Sequence, residues 1–260
     1  MSGPLKKHFG QHFLHDQEVI SRIIHAINPR PGQHLVEIGP GDGAMTMPLL
    51  DAAGSLTAIE LDRDLHQPLL QRAAAHGELS LIGKDVLKVD LATLAQPPTL
   101  LRVVGNLPYY LSSPILFHCL AALDAIEDMH FMLQREVVER AAAAPGSKTY
   151  GRLSVMLQLV CTVEPLLVVP ASAFRPHPKV ESAVMRLRPR PVAQRPQVDP
   201  LHLQTVVRAA FGQRRKTLSN ALGNLLDSDA IRRAGVDPRA RAETLAPNDF
   251  IALTREYQPT

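Results

Sequence analysis

The sequence predicts an α/β fold, a doubly wound and mostly parallel sheet followed by a small, basic, all-helical module. Three observations predict it. Short apolar runs of strand length alternate with segments of helical periodicity as far as residue 144. A glycine-rich turn, Gly39-Pro40-Gly41-Asp42-Gly43, joins one such strand to the helix behind it. A proline-punctuated stretch at 189–200 (Pro189, Pro191, Pro196, Pro200) separates this pattern from a helical tail.

Taken in order, residues 16–28 come first. Val19, Ile20, Ile23, Ile24 and Ile27 share one helical face, Asp16 is placed to cap the helix, and Asn28-Pro29-Arg30-Pro31-Gly32 ends it. Residues 34–38 read as a buried strand, 45–53 as a helix, 56–60 as a strand and 63–76 as a helix. Strands follow at 79–83, 101–105 and 129–133, and helices at 114–123 and 136–144. A strand-like run at 180–187 follows the proline-rich residues 173–178. Beyond the linker, residues 201–211, 217–226, 230–234 and 248–256 read as helices. The domain boundary expected from this pattern gives 1–188 as the sheet domain with an N-terminal extension and 189–260 as the helical domain.

Charge separates the same two parts. The net charge is +3, yet residues 1–187 hold 16 Lys/Arg against 18 Asp/Glu, and residues 188–260 hold 12 against 7. A basic module beside a near-neutral one points to a polyanionic partner. The two cysteines, Cys119 and Cys161, lie in apolar stretches as buried thiols rather than ligands, and no His/Cys spacing suggests a metal site. The polar start (Lys6, Lys7, His8) does not read as a signal peptide, and the apolar run near 155–169 is interrupted by Glu164 and Pro165. A cytoplasmic protein with no membrane segment is expected.

Four motifs carry chemistry. Glu37-Ile38-Gly39-Pro40-Gly41-Asp42-Gly43 follows a strand and precedes a helix, so its glycines let a ligand approach the backbone and the helix start favours an anionic group. The same loop also satisfies a looser dinucleotide pattern, which keeps a nicotinamide-dependent dehydrogenase open. Glu60, with Leu61 after it, ends the next strand, where a carboxylate can accept both ribose hydroxyls of an adenosine-containing cofactor. Asp85 follows the third strand and can accept from an adenine amino group while Val86 packs on the ring.

The fourth motif is Asn106-Leu107-Pro108-Tyr109. The exocyclic nitrogen of adenine is a poor nucleophile, because its lone pair is delocalised into the ring. Two acceptors, the Asn106 side-chain oxygen and the Leu107 carbonyl, can bind both amino hydrogens and hold the nitrogen in line with a methyl donor. Pro108 fixes its own φ and biases Leu107 to extended backbone. Tyr109 offers a face on which an extruded base can stack.

These residues, with Gly10-Gln11-His12-Phe13-Leu14, Met132-Leu133-Gln134-Arg135-Glu136-Val137, Tyr150-Gly151-Arg152-Leu153-Ser154-Val155, Phe174-Arg175-Pro176-His177-Pro178-Lys179-Val180 and Gln213-Arg214-Arg215-Lys216-Thr217, closely resemble the small-subunit ribosomal RNA adenine dimethyltransferases. The likeness runs from about Lys7 to the C-terminus. It implies a Rossmann-like domain that binds S-adenosylmethionine and a small helical domain. The implied activity is dimethylation of two adjacent adenines in a hairpin loop near the 3′ end of small-subunit rRNA, by a monomer acting on a late 30S precursor. By position, it implies that His12 and Leu14 border the cofactor, Gly39 and Gly41 its methionine part, Glu60 the ribose and Asp85 the adenine. Asn106 would serve both cofactor and target amine, and Phe174 would face Tyr109 across the flipped base. Arg214, Arg215 and Lys216, in the basic domain, suit phosphate contacts. Two positions depart from the pattern: His12 and Tyr110, where the family often has Asn. A large-subunit rRNA dimethyltransferase and a non-catalytic assembly factor are the remaining rival readings.

Overall fold

A computed structural model describes residues 12–213 and 215–259. Gly10, Gln11 and Arg214 lie outside the described residues. The chain forms two compact units. One comprises the described residues up to Val138 with Glu164–Pro189, and the other Glu139–Val163 with the described residues from Arg190 onward. The segment beyond the proline-rich stretch therefore shares its unit with residues 139–163, which the division at 188/189 leaves with the sheet.

The described residues form nine strands in two sheets, all in the first unit except the first three residues of β7: β1 (Phe13–Leu14), β2 (His34–Ile38), β3 (Ser55–Ile59), β4 (Glu78–Ile82), β5 (Leu101–Asn106), β6 (Ile126–Gln134), β7 (Cys161–Val169), β8 (Phe174–Arg175) and β9 (Ser182–Pro189). Seven form one sheet in the order β4-β3-β2-β5-β6-β9-β7, and β1 pairs with β8 in a separate ribbon. From β4 to β6 every pairing is parallel, and β9 runs antiparallel to β6. The chain leaves β2 for β3 on one side and later returns to lay β5 on the other. The carboxyl ends of β2 and β5 thus flank the point where the winding reverses, the crevice in which open α/β sheets bind ligands.

Helix α1 (Gln17–Ile27) is capped by Asp16, whose carboxylate accepts from the Glu18 and Val19 amides. It buries Val19, Ile20, Ile23 and Ile27, as the periodicity predicts. The further helices of this part of the chain are α2 (Thr46–Ala53), α3 (His66–Ala73), α4 (Ser112–Leu120) and α5 (Arg135–Ala141). The helix expected over 63–76 is divided: Asp62 caps a 3-10 turn at Arg63–Leu65, and α3 begins only at His66. Arg102 of β5 fastens the sheet to α1. Its guanidinium donates to both Asp128 oxygens (3.0 and 2.8 Å), to the Ile27 and Asn28 carbonyls, and to Gln33 Oε1.

The second unit contains α6 (Arg152–Val160), α7 (Pro200–Gly212), α8 (Leu218–Ala221), α9 (Ser228–Arg233) and α10 (Pro247–Glu256). Buried Tyr150 donates its hydroxyl to the Leu245 carbonyl, and its ring meets the edge of Phe211, which stacks on Phe250. These contacts tie residues 139–163 to the helical segment. The helix expected over 217–226 is only four residues long. The backbone turns back on the Leu222 carbonyl next to Gly223, a poor helix former. No helix of the described residues is long and apolar enough to cross a membrane.

Candidate active site

The carboxyl ends of β2, β3, β4 and β5 open into one cleft enclosing about 1090 Å³, its mouth included. Twelve residues singled out from the sequence line it together: His12, Leu14, Gly39, Gly41, Glu60, Leu61, Asp85, Val86, Asn106, Leu107, Pro108 and Tyr109.

The glycine loop is shaped by backbone that side chains disfavour. Gly39 and Gly41 have φ of +67° and +60°, and a Cβ on Gly41 would come within 3.2 Å of the Phe13 ring. The Gly41 amide donates to one Glu60 oxygen (3.2 Å), and the Asp62 amide donates to the other (2.8 Å). Burial pushes the Glu60 carboxyl up, and these two amides oppose the shift. Each oxygen keeps acceptor capacity toward the cleft. Asp85 caps the turn at Val86–Lys88 through Oδ1, which accepts from the Leu87 amide at 3.0 Å. The donor set of this half, a glycine cradle with buried Glu60 and half-buried Asp85 at two strand ends and apolar Leu61 and Val86 nearby, fits an adenosine-bearing cofactor that carries an amino-acid part.

The other half is built on the tetrad. The Leu107 amide donates to the Met132 carbonyl, which pins the chain as it leaves β5. The Asn106 side-chain nitrogen donates to the His12 carbonyl at 3.3 Å, so its Oδ1 is the atom left to accept from a ligand. Tyr109 is half-buried and its hydroxyl pairs with that of buried Ser182 at 2.8 Å. The His12 ring stacks on it at 5.8 Å between centroids, with His12 Nδ1 bonded to the Pro176 carbonyl. One side of the Tyr109 ring is thus occupied from within the protein.

Phe174 is not brought to the cleft. It is 1% exposed and belongs to the core cluster that contains Leu14, Met132 and Val184. The reason is the pairing of β1 with β8: Leu14 sits opposite Phe174 and Phe13 opposite Arg175, and the exposed Arg175 turns its neighbour inward. Arg215 and Lys216 are exposed residues of the second unit, and the cleft residues belong to the first.

The sequence reading assigned no individual role to Glu37, Phe13, Lys84 or Ser182, and marked Tyr110 only as a departure from the family pattern. Glu37 is the most consequential. It lines the cleft and is 1% exposed, and Thr46 Oγ1 donates to it at 2.7 Å. Burial pushes its carboxyl up to about 7 against the pull of that hydrogen bond, and Glu60 and Asp42 add to the rise. A charged residue inside the apolar strand His34-Leu35-Val36-Glu37-Ile38 was the available signal.

The chain is similar to known proteins in sequence and in fold. The sequence profile described as ribosomal RNA adenine dimethylase matches residues 4–259. The chain is 59% identical over 252 residues to a ribosomal RNA small subunit methyltransferase A of Xanthomonas campestris, covering 97% of this chain and 96% of that one. It is 57% identical over 253 residues to the protein of the same name from Xylella fastidiosa, with the same coverage. Among solved structures, a dimethyladenosine transferase from Plasmodium falciparum shares the fold with a TM-score of 0.77 at 24% identity, covering 93% of this chain and 96% of that one. The 23S rRNA methyltransferase ErmE follows at 0.70 and 27%, covering 94% and 99%.

Proposed function

The chain belongs to the ribosomal RNA adenine dimethylase family, and from that premise we propose that it dimethylates N6 of two adjacent adenines in a hairpin loop near the 3′ end of small-subunit rRNA. In this reading it acts in the cytoplasm as a monomer on a late 30S precursor, with S-adenosylmethionine as donor. Residues 189–260 serve as its RNA-binding domain. The single observation that carries the reading is the Asn106 amide, oriented by the His12 carbonyl so that Oδ1 is the free acceptor at the end of β5.

S-adenosylmethionine, when bound, supplies a methyl group already activated by its sulfonium. The chain's own residues then have three tasks. Glu60 accepts the ribose hydroxyls and Asp85 the adenine amino group, while Gly39 and Gly41 admit the methionine part. Asn106 Oδ1 and the Leu107 carbonyl accept both hydrogens of the target amine, which orients its lone pair and makes the nitrogen more tetrahedral. The ring face of Tyr109 that His12 leaves free stacks the extruded base. The nitrogen sheds its proton only after the new bond has formed, so Glu60 and Asp85 are ligand acceptors rather than bases.

The test is tritium transfer from labelled S-adenosylmethionine to undermethylated small subunits, with mapping of the modified nucleotides. Asn106→Ala is expected to lower the rate by about a hundredfold or more. Wild-type rates in that variant would sink the mechanism. Methyl groups accepted by large subunits instead would reassign the substrate.

A further inference from the structure

Aromatic side chains are scarce in this chain, at 4% of residues with no tryptophan. Among the described residues all are buried or half-buried except one. Tyr110 is 58% exposed, and it stands at the rim of the candidate active site. A single exposed apolar side chain on a protein surface needs no explanation. The location changes that, because Tyr110 belongs to the same 3-10 turn, Tyr109–Leu111, that holds the proposed base platform.

Successive side chains on a 3-10 turn diverge by about a third of a turn. Tyr109 turns inward, fixed by Ser182 and backed by His12, and Tyr110 turns out to solvent while still lining the cleft. One platform can hold one base. Drawing an adenine out of a stacked strand also strips one face of its neighbour, and that face then lies in water unless the protein covers it. An exposed tyrosine ring beside the pocket supplies such a cover, and any base fits it because every base has a π-face. Lys84 is exposed and lines the same cleft, where its ammonium suits the phosphate of an entering strand.

We infer that Tyr110 is a second stacking site, which takes the base of the nucleotide next to the adenine in the cleft; the inference rests on the RNA-methylation reading of that cleft. Its consequence is that the enzyme grips a dinucleotide rather than a single flipped base.

The experiment compares wild type, Tyr110→Ala, Tyr110→Asn and Tyr110→Phe as full-length proteins on undermethylated small subunits, with cofactor affinity measured separately by calorimetry. Loss of the ring is expected to raise KM for the particle by about five- to a hundredfold, the range for one base stacked on an aromatic residue. Tyr110→Phe is expected to restore it. The salt dependence of KM should stay that of wild type, since no charge is removed. Tyr110→Ala with a wild-type KM would overturn the inference alone, leaving the function of the cleft standing. So would a phenylalanine variant as weak as the alanine one, or a parallel loss of cofactor affinity, which would make Tyr110 a wall of the cofactor site. A wild-type protein that methylates no small subunit would bring down both.

Discussion

Glu37 ties the stability of the fold to pH. Its carboxyl is buried at the end of β2 and pushed up to about 7, while in the unfolded chain it titrates near 4.5. Between those two values the unfolded state has lost the proton and the folded state has kept it, so stability falls as pH rises from about 4.5 to 7 and then levels off. Glu37→Gln keeps an acceptor for Thr46 Oγ1 and removes the titration. The expected outcome is a variant whose urea midpoint lacks this decline, and which gains on wild type by up to about 3 kcal/mol above pH 7. Parallel pH profiles for the two proteins would refute it. The carboxylates at strand ends, Glu60 and Asp85, were legible because position after a strand is a local property. The perturbed state of Glu37 was not, since it depends on burial by residues distant in the chain. The burial of Phe174 was hidden for the same kind of reason. Its motif is contiguous, but the direction of its side chain is decided by pairing with Leu14, far earlier in the sequence.

At the scale of elements, the parallel strands β2 to β6 and the helices between them were readable from period and turn chemistry with differences mainly at their ends, whereas β7, the two-residue strands β1 and β8, and α6 were not read at all. What periodicity could not supply is how α1 is fastened to the sheet. Arg102 and Asp128 form a buried pair across β5 and β6, and the same guanidinium serves the carbonyls of Ile27 and Asn28 that the end of α1 leaves without helical partners. Such a pair adds little over well-packed apolar residues, but halving it strands a charge in the interior. Asp128→Ala is therefore expected to cost about 3–5 kcal/mol, whereas Arg102→Met with Asp128→Leu costs clearly less than the sum of the single changes. Urea denaturation of the two single variants and the double variant checks this, and additive losses would contradict it. Neighbouring His130 shares this setting. Burial pushes its imidazole down to about 4 against the pull of Asp128, so it is carried neutral in the core.

At the scale of the whole molecule the governing feature is the uneven charge, with 12 Lys/Arg against 7 Asp/Glu from residue 188 onward. In the proposed function these cations meet phosphate. Arg215→Ala and Lys216→Ala should each weaken binding to small subunits whatever the loop sequence, and reduce the slope of log affinity against log salt by about 1. An unchanged slope would remove these two residues from the interface. The contrast with Tyr110 is useful here, because the stacking variant is expected to lose affinity with its slope intact.

The α/β class, most of the strand and helix order, the glycine loop and the tetrad are legible in the chain alone, whereas β1, β7, β8 and α6 are not. The legible features depend on periods, turn residues and spacings within a few tens of residues, where sterics and hydrogen bonding act locally. It takes the folded chain to show that twelve of the chosen residues share one cleft, and that Phe174 faces the core instead. The tertiary structure also decided that residues 139–163 pack with the helical unit and that Tyr110 alone among the described aromatics stands in water. Those outcomes turn on which long-range pairings bury which side chains, and one strand's register or one helix's partner is not written in its own neighbourhood.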